Sequence, residues 1–332
     1  MKDIARDLSV SVITVSKVLR NHPDISESTR DRVLRRMKEL NYRPNLAARA
    51  LVTGKSYSVG LIVPDLVHPF FAQLAKGISN VLREQGYGLM ISSSEESTEL
   101  EQQEIDHMVA RGVDAILIAS TQLTVESFRQ IEERRIPYVL LDRSFAGLPA
   151  NFVGIDDEQA GLLATEHLIS VGCRRIAHIM GPEVSTSIGR LTGYKRALMR
   201  HGLDLPDTLV VLENKGDDTG DASGYEAMKG LLAVEPRPDG VFCYNDPTAL
   251  GAMKAIVEAG LSIPRDIALI GCGNVFYAPL LMVPLSSIDQ DSFAMGRHAG
   301  ELALSLLAAN GKTKPRSVLM PLKLAVRASS MR

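Results

Sequence analysis

A chain of 332 residues with 45% apolar and 23% charged side chains is longer than one ordinary domain and carries enough apolar material for at least two cores, which excludes a low-complexity scaffold. No run reaches eighteen apolar residues, and Lys2, Asp3, Arg6 and Asp7 put charge where a secretory segment needs its apolar stretch. A soluble, cytoplasmic protein without a membrane partner is therefore expected. The net charge of -2 divides unevenly: residues 1–56 hold 12 Lys and Arg against 6 Asp and Glu, a net of +6, and residues 57–332 hold 25 against 33, a net of -8. A basic head on an acidic body points to a polyanionic partner for the head, and a merely solvated basic face would give the same count.

The first forty residues read as three short helices. Ile4, Ala5 and Leu8 form the apolar stripe of the first. A tight turn at Ser9-Val10 leads to Ser11, a good cap for a second helix that turns Val15, Val18 and Leu19 inward. Ser26 caps a third, in which Val33, Leu34, Met37 and Leu40 recur at helical spacing among Arg30, Arg32, Arg35, Arg36 and Lys38. Such a trio makes a helix-turn-helix unit, whose second helix would present Val12, Ile13, Ser16 and Lys17 to a DNA major groove. Ser11, Thr14 and the helix amides would then hold phosphates. A three-helix interaction module fits the same pattern.

Pro44 stops the third helix, and Asn45 can cap a new one of about two turns, too short to persist alone in water. Gly54-Lys55-Ser56 looks like the end of a phosphate-binding loop, but Arg49 stands where that loop needs glycine. With this segment, the head resembles the DNA-binding region of the LacI/GalR family of bacterial transcription regulators. The resemblance implies a hinge that folds on operator DNA, with Leu51 wedged into the minor groove and Ala48 and Asn45 close to the DNA backbone.

From Ser58 onward, short apolar runs alternate with amphipathic helices that end near glycines, as in parallel sheets covered on both faces. One series runs from Val59 to Leu141; a second opens with Phe152 to Ile155 and runs to Ile270. The expected fold class is α/β, two doubly wound parallel-sheet subdomains preceded by an all-α head. The expected boundaries are residues 1–44 for the head, 45–56 for hinge and linker, 57–157 with 288–316 for one subdomain, and 158–287 with 317–332 for the other. Ligands in such sheets bind beyond the carboxyl ends of the strands. Those ends carry Asp65 and His68, Ser92 and Ser93, Ser120 and Thr121, Asp142 and Arg143, Gly181, Asn245 and Asp246, and residues 271–274. No nucleophile elbow, zinc-binding helix or dinucleotide fingerprint is present, so no enzyme is expected. Cys173, Cys243 and Cys272 stand far apart, the seven histidines are scattered, and Asp156-Asp157-Glu158 reads as a helix cap. Neither a metal nor a cofactor is expected.

The body resembles the same family over its whole length. The resemblance rests on Pro64-Asp65 with Pro69-Phe70-Phe71, Gly181-Pro182 with Arg190-Leu191-Thr192-Gly193-Tyr194, Asn245-Asp246 with Ala249-Leu250-Gly251, Ile263-Pro264-Arg265-Asp266-Ile267, and Val326-Arg327. It implies a core similar to periplasmic sugar-binding proteins and an effector site at Phe70, Phe71, Asp142, Ser185 or Ser187, Arg190, Asn245 and Gln290. Asp, Asn and Arg with an apolar platform suit a polyol, while Phe70 and Phe71 as helix core and Arg190 as an ion-pair partner is the alternative. Two departures bear on the effector. Gly271-Cys272-Gly273-Asn274 lacks the carboxylate the family often carries there, although Asn274 is kept, and Asp218 occupies a frequently aromatic position. These favour a sugar derivative with a donor or positive charge facing Asp218 over an ordinary hexose. The resulting expectation is a homodimeric regulator, a repressor rather than an activator, that binds near-palindromic double-stranded operator DNA under control of a sugar-like small molecule. A sugar-binding sensor without DNA binding is the alternative.

Overall fold

The computed structural model describes residues 1–19, 22–42, 50, 54–212, 220–309 and 313–332. Met1–Ser56 and Tyr57–Arg332 form separate compact units. In the first, α1 (Lys2–Asp7), α2 (Val12–Leu19) and α3 (Glu27–Glu39) close over Ile4, Ala5, Val15, Val18, Val33 and Met37. Ser9 takes a left-handed backbone at φ 52°, which lets the chain reverse between α1 and α2. Ser11 Oγ then accepts from Thr14 N at 2.9 Å, and Ser26 Oγ accepts from Thr29 N at 3.4 Å. Leu34 and Leu40, expected inside, are exposed at 47% and 42%, because Val33 and Met37 already fill the core that three short helices can enclose. Three of the α3 arginines brace the head itself. Arg30 donates to His22 O, Arg32 to Leu8 O, and Arg36 to Asp7 and Glu39.

In the second unit the order is β1 (Ser58–Val63), α4 (Pro69–Glu84), β2 (Gly88–Ser93), α5 (Thr98–Ala110), β3 (Ala115–Ile118), α6 (Arg129–Glu133), β4 (Tyr138–Leu141) and β5 (Asn151–Gly154). Then come α7 (Asp157–Ser170), β6 (Ile176–Met180), α8 (Ser185–Arg200), β7 (Val210–Leu212), α9 (Asp221–Leu232), β8 (Gly240–Cys243), α10 (Asp246–Glu258) and β9 (Ala268–Cys272). The chain closes with β10 (Ser286–Asp289), α11 (Ser292–Ala308), β11 (Ser317–Leu319) and β12 (Lys323–Ala325). One sheet has the order β11-β5-β4-β3-β1-β2, the other β12-β10-β9-β8-β6-β7. Among the described strands only β12 runs antiparallel to its neighbour, β10. The strand order reverses beside β1 in one sheet and beside β6 in the other, the doubly wound arrangement that places loops and helix starts together at the carboxyl edge.

The chain passes between the sheets three times, at residues 155–156, 290–291 and 320–322. Two sequence expectations change here. Phe152 to Ile155, read as opening the second series, belongs to the first sheet, where β5 pairs with β4. Residues 317–319, assigned to the second subdomain, pair with Phe152–Gly154 of the first, and all of β10 stays in the second sheet. Partner choice for such short strands is set by parallel neighbours distant in sequence, which local periodicity does not encode.

Paired helices meet at glycines. Gly161 and Gly193 lie between α7 and α8, Gly224 and Gly251 between α9 and α10, and Gly77 and Gly296 between α4 and α11. All three cysteines are buried free thiols. Among the described residues, no helix is long and apolar enough to cross a membrane.

Candidate functional site

On α2, helical spacing turns Val12, Ile13, Ser16 and Lys17 away from buried Val15 and Val18. Val12 and Ile13 are 41% and 67% exposed, an open apolar surface suited to a thymine methyl group. Ser11 Oγ caps α2 and also meets Thr14 Oγ1 at 2.9 Å. Lys17 Nζ lies 2.5 Å from Asp24 Oδ2. Asn45, Ala48 and Leu51 of the expected hinge lie outside the described residues, as does Asp218 of the body.

In the body, the carboxyl ends of the two sheets meet. Ser144, just beyond β4, donates its backbone N–H to Ser185 Oγ at the start of α8, at 2.9 Å. Asp142 ends β4 with a left-handed backbone at φ 58° and is 6% exposed. Its neighbour Arg143 is 4% exposed and forks onto Glu96 at 2.6 and 2.9 Å. Arg190, 3% exposed, donates from Nε to Asp157 at 2.9 Å and from Nη1 to Tyr244 O at 2.7 Å, with its guanidinium 4.8 Å above the Tyr244 ring. Gln290 sits on the second crossing segment, 3% exposed. Among the described residues, Asp142 Oδ1, Arg143 Nε and Gln290 Nε2 are buried without a hydrogen-bond partner of good geometry, although the Gln290 side chain lies near enough to help hold the Asp142 carboxylate.

The other expected residues are placed differently. Phe70 and Phe71 meet edge to face at 5.1 Å and pack in the core of the first lobe. Ser187 Oγ donates to Gly181 O. Asn245 Oδ1 caps α10, accepting from Thr248 N and Oγ1. Asn274 Oδ1 accepts from Arg327 Nη2 at 2.6 Å. Arg143, Asp157, Tyr244 and Asp246 join the constellation without having been singled out as binding residues. Arg143 had a visible signal, a cation beside an acid at a strand's carboxyl end.

Burial dominates the electrostatics. It pushes the Asp142 carboxyl up, opposed by Arg190 and Arg143, and raises Asp157 to about 7 against the pull of Arg190. Asp246 is raised by burial to about 6, and its carboxylate is held by Ser287 Oγ at 2.6 Å and Val275 N at 2.8 Å. Burial and the Arg143 charge lower His68 to about 4, so the imidazole that caps α4 is neutral. The arrangement supplies fixed donors and acceptors for a polar ligand. Among the described residues there, no activated nucleophile stands beside a base.

Residues 1–45 match the lacI family of bacterial regulatory proteins, and residues 165–330 match the periplasmic binding protein-like domain. The catabolite control protein A of Priestia megaterium is 33% identical over 331 residues, covering 99% of this chain and 98% of that one. The chain belongs to the lacI family. A solved Lac repressor dimer bound to operator and an anti-inducer aligns with a TM-score of 0.86 at 27% identity, over 99% of this chain and 98% of that one. The transcriptional regulator CelR in complex with cellobiose aligns at 0.75 and 30%, over 98% of both chains. This lacI-family chain is a DNA-binding transcriptional regulator and not an enzyme, and its two parallel-sheet lobes are the periplasmic-binding-protein-like core of that family.

Proposed function

We propose that the protein is a cytoplasmic repressor that grips a near-palindromic operator as a homodimer, its hold on DNA set by a sugar or sugar derivative bound between the lobes. The observation that carries the effector reading is the buried polar trio of Asp142 Oδ1, Arg143 Nε and Gln290 Nε2 where the lobes meet, which no well-formed hydrogen bond among the described residues satisfies. One acceptor and two donors match hydroxyl groups, each of which donates and accepts at once. An apolar ligand would leave Arg143 Nε unpaired at about 1–3 kcal/mol and give nothing to the Asp142 and Gln290 side chains. The cellobiose complex of a similar regulator supports the carbohydrate class. Gly273, where the family often carries a carboxylate, has Asp246 Oδ2 and Gln290 Oε1 3.8 and 3.9 Å from the place of its missing Cβ. The acceptors nearest that place are thus the side chains of Asp246 and Gln290.

The twofold arrangement is supported by the Lac repressor dimer on operator and by exposed apolar side chains. Leu66, Val67 and Ile91 of the first lobe are 52%, 70% and 45% exposed, beside a groove of about 400 Å³ lined by Val63, Phe71 and Leu89. Phe276, Leu280 and Met282 are exposed in the second lobe. Residues 45–56 are assigned the hinge, with Leu51 as the minor-groove wedge.

The test pairs two measurements on the full chain. Wild-type protein enriches a duplex from a random-sequence pool, and calorimetry screens pentoses, hexoses, amino sugars and disaccharides. At least one sugar should bind and change the affinity for the enriched duplex. Sugar binding with no enriched DNA would leave a sensor without DNA binding; enriched DNA with no sugar bound would overturn the effector reading.

A further inference from the structure

Lys17 is the only charged residue of α2, and in the unbound head it is already paired. Its ammonium lies 2.5 Å from Asp24 Oδ2, while Asp24 Oδ1 meets His22 Nδ1 at 2.6 Å. The loop that carries Asp24 is braced to both neighbouring helices. His22 N donates to Lys17 O at 3.0 Å, and Arg30 of α3 donates to His22 O at 3.0 Å. The Asp24 carboxyl is drawn below its usual range, chiefly by its hydrogen bond to Lys17.

A lysine ammonium is a point charge on a flexible four-carbon stem, and phosphates attract it with the same strength on every sequence. Where a lysine on a groove-facing helix meets a phosphate, the contact therefore adds affinity that carries no sequence information. A carboxylate in contact changes this in two ways. The pair is nearly neutral at phosphate distances, and the carboxylate repels any phosphate that approaches Lys17. The remaining ammonium protons keep their short-range ability to donate to guanine O6 or N7. We infer that Asp24 is a specificity-determining residue, which withholds the Lys17 ammonium from phosphates and positions it for acceptors on a base edge.

The inference rests on the DNA reading above, and its test uses the duplex enriched by the wild-type chain and a scrambled duplex of the same composition. Asp24→Asn should tighten the scrambled duplex and lower the ratio of enriched to scrambled affinity about tenfold. The log-log salt slope on the scrambled duplex should steepen by about one. Asp24→Glu should keep the ratio, and in a Lys17→Met background Asp24→Asn should leave it unchanged. Glu27→Gln, which removes a negative charge elsewhere on the head, gives the general effect of charge. Tightening of both duplexes to the same degree as in Glu27→Gln overturns the inference, as does an unchanged ratio. Lys17→Met provides a second measurement with Asp24 in place. It should weaken the enriched duplex while leaving the scrambled one within about twofold, and equal weakening of both overturns the inference. A wild-type chain that enriches no sequence overturns the DNA reading and this inference together.

Discussion

Arg190 and Asp157 form an ion pair in which both side chains are nearly buried: Nε stands 2.9 Å from Oδ1, with 4% of one side chain and 11% of the other exposed. Asp157 is the first residue of α7, immediately after the first crossing segment, so the pair fixes a cleft guanidinium to the place where the chain changes lobes. Tyr244 adds its carbonyl to Nη1 and its ring beneath the guanidinium.

Removing one partner of such a pair strands the other. Arg190→Ala should therefore destabilise the body by about 3–5 kcal/mol, measured by urea unfolding of the full chain, and abolish sugar binding in calorimetry. Asp157→Asn keeps an acceptor oxygen for Nε and should cost less. A loss below about 1 kcal/mol in Arg190→Ala would show that the buried pair contributes no more than a solvent-exposed one.

His178 makes a prediction about acid. It is fully buried between Tyr194 and Phe242, donates from Nδ1 to Phe242 O, and is lowered by burial to about 4. Its folded value lies below the unfolded value near 6.5, so its contribution is complete above pH 6.5 and is lost as the pH falls towards 4. Between pH 7 and pH 5 this group alone should cost the wild type about 2 kcal/mol. His178→Gln keeps a donor for Phe242 O without the titration, so its stability should fall by that much less over the same interval. Parallel pH dependences for the two proteins would refute the assignment.

Much of the head and of the lobe pattern was legible in the sequence because it follows from local spacing. Ser11, Ser26 and Asp156 cap the helices that they precede, and Val15, Val18, Val33 and Met37 face inward. What depended on distant partners was not legible. Ser317–Leu319 is three residues long with an alternating, half-exposed pattern, and its sheet is chosen by Phe152–Gly154, more than 160 residues away. Asn245 carried a second local signal, Thr248 three residues on, which accounts for its capping role. Arg143 was visible as a strand-end residue, but its burial and its fork onto Glu96 exist only once the loop after β2 folds over it.

The glycines between helices separate two substitutions that look alike in sequence. A Cβ at Gly251 would stand 1.8 Å from Asp221 O and 2.6 Å from Tyr225 N, both backbone atoms that cannot swing aside. Gly251→Ala should force α9 and α10 apart and cost about 1–3 kcal/mol or more. At Gly230, within α9, nothing lies within 4 Å, so Gly230→Ala should be neutral or stabilise by up to about 1 kcal/mol through helix propensity. Thermal unfolding of the two variants checks the contrast, and similar midpoints would mean that the α9 and α10 contact yields more easily than its geometry indicates.

Arg143 and Glu96 allow the ligand role of the cleft to be separated from its upkeep. The guanidinium is 5% exposed and keeps Nε unpartnered, whereas the Glu96 side chain that anchors its outer edge is 43% exposed. A hydrogen bond from a charged donor to a ligand hydroxyl contributes about 1.5–3 kcal/mol, so Arg143→Ala should weaken the best sugar in the panel on the order of 10–100-fold. Glu96→Gln retains an acceptor for the fork and changes a solvent-screened partner, so its effect on affinity should stay within about fivefold. Calorimetry of both variants, with circular dichroism to show that each is folded, reads the difference. If Arg143→Ala bound the sugar as tightly as the wild type, the free Nε would not face the ligand, and the binding trio would reduce to Asp142 and Gln290 beside Arg190.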